Sequence, residues 1–418
     1  MPDTSPRVLL ARRLIDGTGA PPVHDVAVTL AGAHIAVVEP RGPDWQAPEH
    51  ADIIDCGDRT MLPGLIDAHL HLTMGGGATS HENVARLERE AADTLVLRAI
   101  HNAQLALLGG VTTARDCGGR DLSMVAVRRA LDSGLAVGPR LLVAGMPVTT
   151  TAGHCSWMGL QADTAAEIRR AVRWLCESEV DFIKVVATGG MMTPGSNPWM
   201  AQYSADDLRV VVHEAHRLGR HVAAHVLSSP GLRNVLEAGV DTVEHVYSIT
   251  GAHQDYDPAL ANRMAQQGVV GSITAHDGLR SLLPGQRSGD LQLLRRRLAT
   301  HRQLREAGVR LVLHSDATGP PTTFDGMALG IQVLVRGMDY SVQDAIHACT
   351  GLAAQAIGVS DEVGTIAPGK RADLVLVDGD PSADLSALGR VYQVFRDGQV
   401  VVERAHLAIS ALPLASTR

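Results

Sequence analysis

The chain has 418 residues, of which 45% are hydrophobic and 20% charged, and its formal net charge is -8. That length exceeds what one hydrophobic core usually organises, and an acidic balance without a basic cluster argues against nucleic acid or an anionic membrane as partner. No apolar run approaches the roughly 18 residues of a membrane span, and Met1-Pro2-Asp3-Thr4-Ser5-Pro6 lacks a charged-then-apolar leader, so a soluble cytoplasmic protein is expected.

Residues 7 to about 60 read as short strands between turns: Val8-Leu9-Leu10-Ala11, Val26 to Leu30, His34 to Val38 and Asp52 to Asp55. A matching set closes the chain, at Asp373 to Val377, Val391 to Phe395 and Gly398 to Glu403. Neither set is long enough to bury a core alone, so the two ends are expected to pair as one small β-sandwich, from residues 1–60 and 359–418. Between them, over 61–358, strand and helix signals alternate. A helical stretch from Ser80 to Leu108 stops at Gly109-Gly110, and Val111 to Arg115 follows as a strand. The same punctuation recurs at Gly239-Val240, Gly268-Val269 and Gly308-Val309, with glycine as the left-handed cap. Thr164 to Glu167 spells a capping box and Ser204 to Asp207 a near variant of one. Counting from the strand that opens at Leu65, eight strands follow this scheme, which fits an α/β fold of the (β/α)8 TIM-barrel type; a doubly wound open sheet satisfies the same periodicity.

In such barrels the working side chains stand at the C-terminal ends of the strands. His69 and His71 occupy that place on the first strand, Lys184 on the fourth, His225 on the fifth, His245 on the sixth and Asp316 after the eighth. One buried histidine is more often a hydrogen-bonded core residue than a metal ligand, but six ligand-type residues at corresponding strand ends reverse that expectation. Of 37 basic residues only Lys184 and Lys370 are lysines, and Lys184 lies in an apolar strand. Burial disfavours a charged ammonium, and a neutral amine can add carbon dioxide to form a carbamate able to bridge two cations. The plainer alternative is an ion pair with Asp181. Asp316 could hold a nucleophilic water and carry its proton to the leaving nitrogen, with His314 in a supporting place. The five cysteines are scattered and include no Cys-x-x-Cys pair, and Cys155 beside His154 reads as a small loop residue rather than a nucleophile.

The run Pro63-Gly64-Leu65-Ile66-Asp67-Ala68-His69-Leu70-His71 resembles the first-strand signature of the amidohydrolase superfamily. Gly110 to Asp116, Phe182 to Gly190 and Gly364 to Leu376 extend the resemblance to the imidazolonepropionase-like and Xaa-Pro-dipeptidase-like group, over nearly the whole chain. It implies a binuclear centre in which His69, His71, Asp316 and Lys184, as N6-carboxylysine, hold one divalent metal and Lys184, His225 and His245 the other, with zinc the default. It further implies a metal-dependent hydrolase that attacks a C–N amide bond with a metal-bridging hydroxide, on a dipeptide-like or N-acyl amino acid substrate. The alternative is a cyclic amide hydrolase or heterocycle deaminase. Dipeptide-cleaving members often carry His-Ala-Tyr on the fifth strand, where this chain has His225-Val226-Leu227. Thr151-Ala152-Gly153-His154 looks like the group's Gly-His loop, which makes His154 a candidate for substrate contact and catalysis.

Candidate pocket residues come from the loops: Trp157, the segment from Met191 to Tyr203, and Arg280. The stretch 275–305 is a candidate lid, although Arg295-Arg296-Arg297 also reads as a solvated helical face. His213, Glu214 and His216 are expected at the surface. A small-molecule substrate and a homo-oligomer complete the expected partners.

Overall fold

The computed structural model describes residues 6–75, 80–247, 249–250, 253–254, 256–274, 288–319 and 322–408. The first strands are β1 (Arg7–Leu14), β2 (Val23–Ala31), β3 (His34–Pro40), β4 (Asp52–Asp55) and β5 (Arg59–Pro63). β6 (Leu65–Leu70), β7 (Val111–Asp116), β8 (Arg140–Val143), β9 (Val148–Thr149), β10 (Leu160–Gln161), β11 (Phe182–Val186), β12 (His221–His225) and β13 (Thr242–Glu244) follow. After the short hairpin β14 (Ile249–Thr250) and β15 (His253–Gln254) come β16 (Val270–Thr274) and β17 (Leu311–His314). The chain closes with β18 (Leu374–Asp378), β19 (Val391–Arg396), β20 (Gln399–Glu403) and β21 (His406–Leu407).

The two ends of the chain do pair. β5 runs antiparallel to β18, with Met61 opposite Leu376, and this joins both sets into one nine-stranded sheet. Leu9, Val28, Ile35, Met61, Leu374, Leu376 and Phe395 form a common apolar cluster on it. Within a few residues of β5 the chain crosses to the central unit, where β6-β7-β8 form one parallel sheet and β9, β11, β12, β13, β16 and β17 another with β10 at its edge. All six residues of β6, all six of β7 and all five of β11 are buried, as parallel strands covered on both faces should be.

The two parallel sheets meet at both edges. Asp316 N donates to His69 O at 2.8 Å and His71 N to Ala317 O at 3.1 Å on one side, while Asp181 N donates to Val143 O at 2.9 Å on the other. Asp67 strengthens the first seam, its Oδ1 accepting from Ser315 N at 3.0 Å and His69 N at 3.2 Å. The helices start and stop as the sequence suggests. Thr164 and Ser204 both make complete reciprocal capping boxes, each worth about 1 kcal/mol. Gly239 and Gly268 end their helices in the left-handed region at φ 84° and 69°. The stretch expected as one helix from Ser80 to Leu108 is two, Ser80–Arg89 and Ala92–Leu108. Among the described residues no helix is long and apolar enough to cross a membrane.

Candidate metal centre and substrate cavity

Strands bring the chemistry to one end of the central unit because each contributes its last residues there. A cavity of about 730 Å3 opens at that end, and His69, His71, His154, Lys184, His225, His245 and Asp316 all line it. His69 Nε2 and His71 Nε2 lie 3.3 Å apart, and Asp316 Oδ1 is 3.6 Å from the first and 3.7 Å from the second. The other nitrogens of the two rings are engaged: His69 Nδ1 faces Glu244 Oε2 at 3.0 Å and His71 Nδ1 faces the Gly118 carbonyl at 2.8 Å. Both acceptors require a proton on Nδ1, so both Nε2 atoms present lone pairs. Two lone pairs and a carboxylate oxygen converging without a proton between them repel one another, and a divalent cation relieves that repulsion.

Burial pushes His71 down to about 4 and His69, His225 and His245 well below the ordinary imidazole value, so all four are neutral at pH 7, the form that binds metal. His245 meets His225 edge to face at 4.8 Å and lies tilted against His69 at 5.1 Å between ring centres. Lys184, 3% exposed, ends among these rings, and its Nζ has no hydrogen-bond partner among the described residues. The ion pair with Asp181 is not made; that carboxylate takes Arg128 Nη1 at 2.6 Å instead. An orphaned amine beside four neutral imidazoles fits the donor set of a metal pair completed by an acidic group on nitrogen. His245 and Asp316 sit at φ 69° and 49°, left-handed values that cost about 1–3 kcal/mol each in a non-glycine residue.

Beneath His69 lies a network that strand-by-strand reading missed. Arg115 and Glu244 are 2% and 0% exposed in their side chains, and Arg115 Nη2 donates to Glu244 Oε1 at 2.6 Å. Arg115 Nε donates to the Ala68 carbonyl at 2.6 Å, and Thr242 Oγ1 donates to Glu244 Oε1 at 2.8 Å. Burial would raise the Glu244 carboxyl, but the Arg115 guanidinium beside it is the main opposing cause, and the carboxyl is held at about 2. Glu244 is therefore a permanent anion that fixes the tautomer of His69. His314 lies 3.9 Å from the same carboxylate and hydrogen-bonds Ser272 and Thr274, which puts it beside the centre in a supporting place. The only available signal was Glu244 standing directly before His245.

The cavity walls come from loops. Trp157, Met158, Met191, Met192, Pro198 and Trp199 supply apolar lining. Trp157 Nε1 and the His154 ring both meet Thr193 Oγ1, at 3.2 and 3.1 Å, so one hydroxyl ties the two loops together. Burial holds His154 down at about 4. Tyr203 does not belong to this wall: it is 3% exposed, packs in the main core and donates its hydroxyl to the Ala162 carbonyl at 2.7 Å. Arg280 lies outside the described residues, as does the 275–287 part of the candidate lid. The remainder belongs to the helix Ser288–Glu306, whose Arg297 lines the cavity. Glu214, expected at the surface, is buried against Arg173 and Arg217. Cys155 lines the cavity, but burial pushes its thiol up to about 12, which leaves it protonated and a poor nucleophile.

The amidohydrolase family description matches residues 60–401. Ochratoxinase of Aspergillus niger is 28% identical over 415 residues, covering 90% of this chain and 82% of that protein. Imidazolonepropionase of Deinococcus radiodurans is 26% identical over 391 residues, with 85% and 86% covered. A solved Xaa-Pro dipeptidase with bound methionine in its active site superposes with a TM-score of 0.83 at 24% identity, covering 95% of this chain and 99% of its own, a likeness of fold. A prolidase complexed with N-methylphosphonate-L-proline gives 0.81 at 25% identity, with 96% and 100% covered. The fold is thus TIM-barrel-like α/β.

Proposed function

Because the chain belongs to the amidohydrolase family, we propose that this enzyme hydrolyses a C–N amide bond in a dipeptide-like or N-acyl amino acid substrate, at a centre made for two divalent metals. His69, His71, Asp316 and N6-carboxylated Lys184 would hold one, and the same Lys184 with His225 and His245 the other. Bound there, the pair supplies Lewis acidity, which polarises a carbonyl and makes water acidic enough to attack it near neutral pH. Zinc suits this mixed nitrogen and oxygen donor set.

The observation that carries the reading is Lys184 Nζ, buried without a hydrogen-bond partner among the described residues. Addition of that amine to carbon dioxide forms one N–C bond, releases one proton and leaves one negative charge shared by two oxygens. A single-metal deaminase or ring-opening enzyme has no need of such a group. Asp316 contributes a carboxylate whose Oδ1 faces both Nε2 atoms, where it can accept a proton from the attacking water and return it to the departing nitrogen. His154, neutral and held by Thr193, offers a hydrogen-bonding group to the substrate carbonyl or carboxylate. Names among the similar proteins, ochratoxinase and prolidase on one side and imidazolonepropionase on the other, span this reading and its alternative. For the architecture, the hydrogen bonds at both sheet edges support a closed (β/α)8 barrel over 61–358, and the pairing of β5 with β18 in one nine-stranded sheet supports a single flanking β unit built from 1–60 and 359–418, a sandwich if that sheet folds over on itself.

The test is product release by protein supplied with zinc and bicarbonate and offered dipeptides, N-acyl amino acids and, in parallel, cyclic amides and aminated heterocycles. Free amine from the first set is expected. Ammonia or ring opening from the second set alone would replace this reading with the alternative.

A further inference from the structure

Among the described residues the cavity is lined by three side chains of the lysine, arginine or carboxylate type, Lys184, Asp316 and Arg297. The first two belong to the centre already described. Arg297 comes from the helix Ser288–Glu306, and its guanidinium carbon lies 4.7 Å from the centre of the Tyr247 ring. Two imidazoles also stack on Tyr247: His301, four residues along the helix, at 5.4 Å and 24°, and His245 at 6.2 Å and 27°. His301 Nε2 also meets the His245 carbonyl at 3.0 Å. Positions i and i+4 share a helix face, so Arg297 and His301 grip Tyr247 together and fix the guanidinium relative to His245. Among the described residues no carboxylate lies within ion-pair distance of Arg297.

A guanidinium laid over an aromatic face keeps its edge free, and that edge matches a carboxylate bidentately. We infer that Arg297 binds a carboxylate on the amine side of the scissile amide, making the enzyme selective for N-acylated amino acids whose apolar part lies along Trp157, Met191, Met192 and Trp199. This rests on the amide-hydrolase reading above. The cation stands two ring contacts from His245, in a cavity whose lining also includes Trp157, Met191, Met192 and Trp199. An uncharged amide of the same shape would leave the guanidinium desolvated without a partner, and sites built around such a group reject the neutral analogue strongly.

The test compares three matched substrates on metal-loaded enzyme: N-acyl-phenylalanine, its carboxamide, and the N-acyl-phenethylamine that lacks the group. The wild type is expected to prefer the acid by about 100-fold in kcat/KM, the range of one lost charge-assisted bidentate contact. Arg297→Met should lose that preference, chiefly through a raised KM for the acid; Arg297→Lys should recover part of it, since a point charge replaces a planar fork. Equal use of acid and carboxamide by the wild type would overturn the anchor while leaving amide hydrolysis intact. An Arg297→Met loss that is equal on all three substrates would also overturn it, because Arg297 would then act only by holding Tyr247 and His245. No amine release from any of the three would overturn the amide-hydrolase reading and the anchor with it.

Discussion

Removing Arg115 tests the buried network directly. In Arg115→Met the aliphatic length is kept, but Glu244, fully buried, loses its guanidinium partner and the Ala68 carbonyl loses a donor. In the wild type the carboxyl is held at about 2 against an ordinary 4.5. A depression of that size corresponds to about 3 kcal/mol of stability at neutral pH, in line with the roughly 3–5 kcal/mol for breaking a buried ion pair. The sign follows from the depression: this stability is complete above the unfolded value near 4.5 and is lost as pH falls toward 2. The variant should lose it already at pH 7, because burial then dominates and Glu244 takes up a proton. His69 Nδ1 would face a neutral acid, and metal affinity should fall about 10- to 100-fold. Urea unfolding of metal-free protein at pH 7, followed by circular dichroism, reads the first effect, and competition with a chelator reads the second. Arg115→Met/Glu244→Gln should recover part of the stability but not the affinity, since the charge imbalance is gone while the tautomer remains uncontrolled. A single variant within about 1 kcal/mol of wild type, with unchanged affinity, would refute the reasoning.

Lys184→Ala should lose most bound metal and activity while keeping its fold, and wild-type metal content in the variant would count against the carbamate. Asp316→Asn keeps the shape but removes the base, so turnover should drop about 100- to 10,000-fold, measured as amine release at saturating metal; retained turnover would remove its proton-carrying role. Gly190→Ala places a methyl group against the His154 ring, the nearest neighbour of that position, and should cut kcat/KM about 100-fold with little change in thermal stability. An unchanged rate there would show that His154 takes no part in substrate positioning.

Local patterns along the chain are enough to set the alternation of elements and to pick out the metal-ligand candidates. Period-two and period-3.6 patterns, glycine stops and capping boxes are local signals, and β6, β7, β8, β11, β12, β13, β16 and β17 fall where those signals put them. His69, His71, Lys184, His225, His245 and Asp316 were legible because the ends of parallel strands must meet at one face, whatever the details of packing. Tyr203 was misread as a pocket residue because nothing local distinguishes a loop aromatic that turns into the core from one that turns into a cavity. Glu214 was misread for a similar reason, since its partners Arg173 and Arg217 make it a buried anion only once two helices pack. The tie from Arg115 through Glu244 to His69 joins three strands whose relative stagger is set by the curvature and register of the sheets. Arg297 looked like one of three solvated arginines until packing of its helix laid it across Tyr247. Which side chains could reach the centre follows from alternation along each strand, a property of the chain; which charges meet there depends on register between strands, which is fixed only when the sheets pack.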